Sequence, residues 1–303
     1  MFDTMIIGQV CMDTNVDYDG RTEHRYGGAV LYSGHMADVL SDRVAIVTKD
    51  TAEPQSGDCG VDVAQAFSDC SHITIHNCET AGNTVMENVY FTPDRERRRS
   101  RCTGIIDPYT EADLPEEPAQ VYHLAGLVTG DIDEKMLEAC ARRGRVALDV
   151  QCMMRRVLED KTLQLFDWPG KKEYLPLVDM LKTDAAEAEM LTGTADREKA
   201  AVMLHGWGAK EVLITHNSEA IAYDGTEIYK APLLARNLSG RTGRGDTFFA
   251  AYIAERRNKG IKEALQYAAA AVSLKMETPG PFTGMREDID VFIRNYYLPK
   301  AGL

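Results

Sequence analysis

The chain has 303 residues, 44% of them hydrophobic, with 34 basic and 47 acidic side chains and a formal net charge of −13. That is enough apolar material for one large core without a break in composition, so a single domain over 1–303 is expected, and the negative balance argues against nucleic acid as a partner, since such binding comes mainly from phosphate neutralisation. No apolar run approaches about 18 residues, and the start MFDTMIIGQV has neither a basic opening nor a cleavage site, so the expectation is no membrane partner and a cytoplasmic location.

Apolar runs rich in β-branched residues at 5–8, 44–48, 121–124, 146–150, 180–182 and 212–215 read as parallel strands buried on both faces. Between them, 32–40, 134–143, 185–192 and 197–205 carry apolar residues at three-to-four spacing and read as helices. Alternating strands and helices make an α/β layered sheet. At 15–25 and 80–102 polar and apolar residues alternate around turn residues, as in strands with one wet face, so these segments are placed in a small lid over the main sheet.

The segment 70–78 (CSHITIHNC) puts two cysteines and two histidines on one face if it is a strand. At about 3.3 Å per residue the outer two then lie about 26 Å apart and share no ion, so a structural strand is expected. The seven cysteines contain no C-x-x-C pair, which suits free thiols. The basic run from Arg95 to Arg101 reads as a solvated loop between lid strands, or as a contact to an anionic substrate or to phosphates when the lid closes.

Gly240-Arg-Thr-Gly-Arg-Gly-Asp-Thr-Phe-Phe249 places three glycines and a carboxylate ahead of a helix expected at 246–257. Gly240, Gly243 and Gly245 can turn backbone N–H groups toward an anion, and the helix start adds its own donors and its dipole. The spacing G-x-x-G-x-G-D matches neither the dinucleotide fingerprint nor the P-loop. Asp246 has two readings, a helix N-cap or a general base that takes a proton from an attacking hydroxyl.

Thr242-Gly-Arg-Gly-Asp-Thr-Phe248 resembles the T-G-A-G-D-[ST]-F segment of the ribokinase-like carbohydrate kinases, the PfkB family, with Arg244 where a small residue is usual. Tyr26-Gly27-Gly28-Ala29, following a first strand and Asp13, is similar to the family's N-terminal Gly-Gly region. Residues 181–189 look like its N-x-x-E motif, with Asp184 in the Asn position and Glu187 as the glutamate. The resemblance runs over about residues 4–284 and implies a three-layer, mostly parallel sheet flanked by helices, with a small antiparallel β lid from about 14–26 and 80–105 covering the sugar site.

The resemblance also implies an activity. ATP and Mg²⁺ would be the cofactors, and the γ-phosphoryl group of MgATP would pass to a hydroxyl of a small sugar or polyol. Asp246 is then the base, with the backbone at Gly243, Arg244 and Gly245 holding the developing charge. Asp13, Gly27, Gly28 and Tyr32, together with Asp246, would meet the acceptor. Asp184, Thr215, Asn217, Thr242, Gly243, Gly245, Ala270 and Ser273 would line the nucleotide site, and Glu187 would hold the metal through water.

Three further positions depart from the family pattern: Gly240 replaces an Asp that often opens the segment, Tyr32 stands near a usual asparagine, and Asn217 near a usual glycine. They leave open a nucleoside kinase of the same fold or a catalytically weak sugar- or nucleotide-binding regulatory protein. A fainter resemblance, carried by residues 27–32, Asp149-Val-Gln151 with Arg155, and Leu181-Lys-Thr, is to inositol kinases. The expected partner is a small-molecule sugar, polyol or nucleoside, and a homodimer through the lid is the assembly considered.

Overall fold

The apolar runs become the central strands of a nine-stranded sheet in a computed structural model, which describes residues 1–41, 43–51, 60–92 and 97–298. In chain order the strands are β1 (Phe2–Ile7), β2 (Cys11–Val16), β3 (Thr22–Gly27), β4 (Val44–Asp50), β5 (Ile73–Glu79), β6 (Val85–Tyr90), β7 (Arg98–Gly104), β8 (Ala119–Leu124), β9 (Arg145–Asp149), β10 (Arg155–Val157), β11 (Leu163–Leu165), β12 (Met180–Asp184), β13 (Glu211–Thr215), β14 (Glu219–Tyr223) and β15 (Ile228–Pro232). The α-helices are α1 (Ala29–Leu40), α2 (Val63–Ala66), α3 (Glu134–Arg143), α4 (Gln151–Met154), α5 (Lys171–Tyr174), α6 (Ala185–Thr192), α7 (Arg197–Gly206), α8 (Arg244–Glu255), α9 (Ile261–Lys275) and α10 (Arg286–Tyr296).

The main sheet runs β15-β14-β13-β12-β9-β8-β1-β4-β5 and is parallel from β13 to β5, with β14 and β15 added antiparallel at one edge. Its strands alternate between two cores, as the period of two requires. Met5, Leu124, Leu148 and Ile214 face one side with α3, α6 and α7, while Val121, Ala147, Met180 and Leu213 face the other with α8, α9 and α10. Small residues let α8 and α9 lie close together: Ala250, Ala251 and Ala254 share that core with Ala264 and Ala268 to Ala271.

The small sheet has the order β3-β2-β6-β7. Two of its pairings are antiparallel and the central one, β2 with β6, is parallel. β2 starts at Cys11, so Asp13 belongs to a strand of this sheet. The basic run continues into it as the opening of β7, while Arg95 itself lies outside the described residues. The β14–β15 hairpin was not anticipated from the sequence.

Two helix starts differ from expectation. α1 begins three residues earlier than expected, directly after Gly28, whose φ is 99°. α8 begins at Arg244 with Gly243 as its N-cap in the left-handed conformation, φ 75°. Asp246 therefore lies in the first turn and is not the cap. A glycine can take that conformation without the steric cost a β-carbon brings, so the helix starts two residues early.

In the 70–78 segment only Ile73–Glu79 is a strand. His72 turns its backbone N–H to Asp38 at 2.6 Å, and Cys70 comes near His35 and Asp69 instead of joining His76 and Cys78. All six described cysteines are free. Among the described residues no helix is long and apolar enough to cross a membrane.

Candidate active site

The C-terminal ends of β9, β12 and β13 carry Asp149, Asp184 and Thr215, and the start of α8 lies across them. In open α/β sheets this is the end where ligands bind. Close approaches fix the loop before α8. A β-carbon on Gly240 would lie 1.8 Å from the Thr278 carbonyl oxygen, and one on Gly243 would lie 2.1 Å from the Tyr32 ring. One on Gly245 would meet Lys182 Nζ at 3.0 Å. Arg244 N–H makes a long contact to Arg241 O, 3.4 Å, and the first-turn donors of α8 have no preceding helical carbonyls to bind.

Asp246 stands on this first turn, its carbonyl accepting from Ser33 Oγ on α1 at 3.3 Å. Its pKa is raised, first by burial and then by Asp149, against the pull of Lys182 and Arg155. Lys182 pairs with Asp149 at 2.9 Å, both nearly inaccessible. Burial alone would lower the Lys182 pKa, but Asp149, Glu187 and Asp246 together raise it.

Glu187 is 2% exposed, and its pKa is raised to about 7, chiefly by burial. It closes a reciprocal cap with Asp184: Asp184 N–H donates to Glu187 Oε2 and Glu187 N–H to Asp184 Oδ1, both at 2.8 Å. The helix-start role is therefore present. Asp149, Glu187 and Asp246 act on the one ammonium of Lys182, with Asp184 adding negative charge beside Glu187. Such an excess of hard oxygen donors suits Mg²⁺, which takes one or two carboxylates, water and phosphate oxygens.

Asp13 is 9% exposed and receives Cys11 Sγ at 3.2 Å. Burial raises its pKa from 3.8 to about 6, with Cys11 and the charge of Arg98 opposing. Gly27 makes room for its carboxylate, since a β-carbon there would lie 2.4 Å from Asp13 Oδ2. Gly28 likewise closes on the Gln9 carbonyl oxygen, 2.3 Å from the position of a β-carbon. Tyr32, 5% exposed, feels both Asp13 and Asp246, and its pKa is raised by burial and then by those two carboxylates.

Thr215 and Asn217 lie at the end of β13, half-buried and exposed, and Thr242 is exposed. Ala270 and Ser273 are fully buried in α9. Ser273 Oγ donates to Ala269 O at 2.6 Å and accepts from Leu234 N–H at 2.8 Å. The cavity between these elements, lined by Thr215, His216, Leu233, Arg244, Phe248 and Val272, holds about 10 Å³. A larger cavity, about 400 Å³, lies away from this chemistry beside His35, Asp69 and Phe282.

Lys275 had no role in the sequence reading; Lys182 entered it only within the Leu181-Lys-Thr segment and Arg98 only within the basic run. Lys275, the last residue of α9, is buried and donates to the carbonyl oxygens of Gly240, at 2.7 Å, and of Thr242.

This sheet, with a glycine-led helix start beside Asp246 and acidic side chains near the C-terminal ends of its strands, is the ribokinase-like α/β fold of a phosphotransferase acting on hydroxyl groups. The sequence pattern of the pfkB family carbohydrate kinases matches residues 73–288, and the chain belongs to that family. It is 27% identical over 270 residues to a cytidine kinase of Thermococcus kodakarensis, covering 84% of this chain and 88% of that one.

Among solved structures, a pyrophosphate-dependent kinase in the ribokinase family complexed with a pyrophosphate analog and myo-inositol is 32% identical, with a TM-score of 0.83 over 95% of this chain and 99% of that one. A sulfate complex of a pyrophosphate-dependent kinase in the same family is 34% identical, with a TM-score of 0.84 over the same shares.

Proposed function

We propose that this kinase transfers a phosphoryl group from inorganic pyrophosphate to a hydroxyl of a small cyclic polyol. The observation that carries the donor is the likeness over 95% of this chain to kinases described as pyrophosphate-dependent, and the small cavity beside the α8 start, about 10 Å³, agrees with a compact donor. Ser273 and Ala270, the residues expected against adenine, are buried in the core. The likeness to kinases described with pyrophosphate and myo-inositol over nearly the whole chain supports the same donor and the same acceptor class.

The acceptor lies against Asp13, Gly27, Gly28 and Tyr32. Asp246 receives the proton of its attacking hydroxyl, a task that its raised pKa favours. The N–H groups of Gly243, Arg244 and Gly245 hold the charge on the transferred group, and the Arg244 guanidinium adds forked bonds to phosphate oxygens. Thr215, Asn217 and Thr242 form the rim on the donor side. Glu187 and Asp184 would hold Mg²⁺, which would neutralise donor phosphate charge when bound.

Transfer from MgATP to a sugar, polyol or nucleoside is the second reading, its nucleoside acceptor favoured by the likeness to a cytidine kinase. Both readings are tested by crossing pyrophosphate and ATP with myo-inositol, ribose and cytidine in the presence of Mg²⁺ and following phosphorylated product. Turnover of myo-inositol with pyrophosphate is expected. Turnover with ATP alone would overturn the donor, and preference for ribose or cytidine the acceptor.

A further inference from the structure

Lys275 is completely buried, and among the described residues no carboxylate pairs with it. Its ammonium is held by the carbonyl oxygens of Gly240 and Thr242 and stands 4.9 Å above the centre of the Tyr32 ring. Carbonyl dipoles and an aromatic face are the surroundings that a bound monovalent cation takes in proteins. Burying an unpaired charge is costly, and the lowering of its pKa to about 8, caused by burial and opposed by Asp246, is the mark of that cost.

What the ammonium does there follows from peptide geometry. In a trans peptide the carbonyl and the next N–H point in opposite directions, and the chain contains no cis bond among the described residues. With the Thr242 carbonyl turned inward to Lys275, the N–H of Gly243 is turned outward, toward the side of the loop where an anion would lie. The Gly240 carbonyl is held in the same way, which turns the Arg241 N–H outward. Gly240 brings its carbonyl this near because it has no side chain to strike Thr278.

We propose that Lys275 is a built-in cation that sets the direction of the donor-binding N–H groups, so that the loop needs no monovalent metal ion from solution. Lys275 is then a positioning residue. The inference rests on the phosphoryl-transfer reading of this loop, but not on which acceptor is used.

The test compares wild type, Lys275→Ala and Lys275→Met in KCl, NH₄Cl and choline chloride at one ionic strength. Wild type should turn over equally in all three salts. Lys275→Ala should lose about 10- to 100-fold in kcat with acceptor KM little changed, and should regain several-fold in KCl or NH₄Cl but not in choline chloride. Lys275→Met, which fills the space, should lose as much and regain nothing. Potassium activation of wild type would overturn the proposal without any variant, as would a wild-type kcat in Lys275→Ala or a loss that no cation restores.

Stabilisation by pyrophosphate in a melting experiment gives a reading independent of turnover. It should not depend on the salt for wild type and should require K⁺ or NH₄⁺ for Lys275→Ala. A protein that binds pyrophosphate in this pattern but turns over no acceptor would refute the functional reading and keep this one. Salt-independent binding by both proteins would refute this one alone.

Discussion

The ring of Tyr32 occupies the space in which a side chain on residue 243 would stand: a β-carbon there would lie 2.1 Å from Tyr32 Cγ. The wall of the proposed acceptor site and the donor loop are thus pressed together through a glycine. Gly243 also has a φ of 75°, where any side chain costs about 1–2 kcal/mol. Gly243→Ala should therefore lower kcat by at least about 100-fold through a displaced loop and lower the melting temperature. Introduced into Tyr32→Ala, where the ring is gone, Gly243→Ala should lower the melting temperature less than it does in wild type, leaving the φ cost. A near-normal kcat in the single variant would show that the loop tolerates the displacement.

For Asp246 the cap and base readings make different forecasts. The cap of α8 is Gly243, so Asp246→Asn removes a proton acceptor without removing the cap. Turnover should fall by roughly 10²–10⁴. The melting temperature at neutral pH should not fall, because burial penalises the charged carboxylate that the variant replaces. A variant that melts early and turns over normally would make this residue structural.

The parts of the fold readable in the sequence are those in which one face or both faces of an element are apolar over several residues. The runs at 44–48 and 121–124 became β4 and β8 because burial on both faces leaves an uninterrupted β-branched pattern. β14 and β15 carry Glu219 and Lys230 on an antiparallel edge, where polar residues dilute that pattern. The glycine segment and the 184–187 pair were visible because their chemistry is local. Lys275 lies 35 residues from Gly240 and 33 from Thr242 in sequence, so its part in the loop depends on how α9 returns to the sheet. The burial of Ala270 and Ser273 was illegible for the same reason: small residues permit both a close ligand and close helix packing.

Glu187 and Asp184 already satisfy one another, so a metal role must show itself beyond helix capping. Glu187→Gln keeps an oxygen to accept the Asp184 N–H but loses the charge. The Mg²⁺ concentration for half-maximal rate should rise several-fold more than the acceptor KM, with little change in melting temperature without Mg²⁺. An unchanged Mg²⁺ curve would confine this residue to the start of α6.

Asp13 makes a prediction about pH with a definite sign. Burial raises its pKa from 3.8 to about 6 in the folded protein, so the folded state holds the proton more tightly than the unfolded chain between those values. The associated stability is fully present below 3.8 and is lost as pH rises toward 6, by roughly 3 kcal/mol at neutral pH. Asp13→Asn removes this loss, so its melting temperature at pH 7 should be no lower than that of wild type, with a flatter profile between about pH 4 and 6. The acceptor site should respond in the opposite sense. A carboxylate accepts hydroxyl hydrogen bonds that its protonated form gives up in part, so wild-type KM for a neutral polyol should rise as pH falls through about 6. Asp13→Asn should have a KM at least about 10-fold higher at pH 7, in line with loss of a hydrogen bond to a charged group, and no such rise on acidification. If the variant kept both the wild-type KM and its acid limb, Asp13 would not be the group that meets the acceptor.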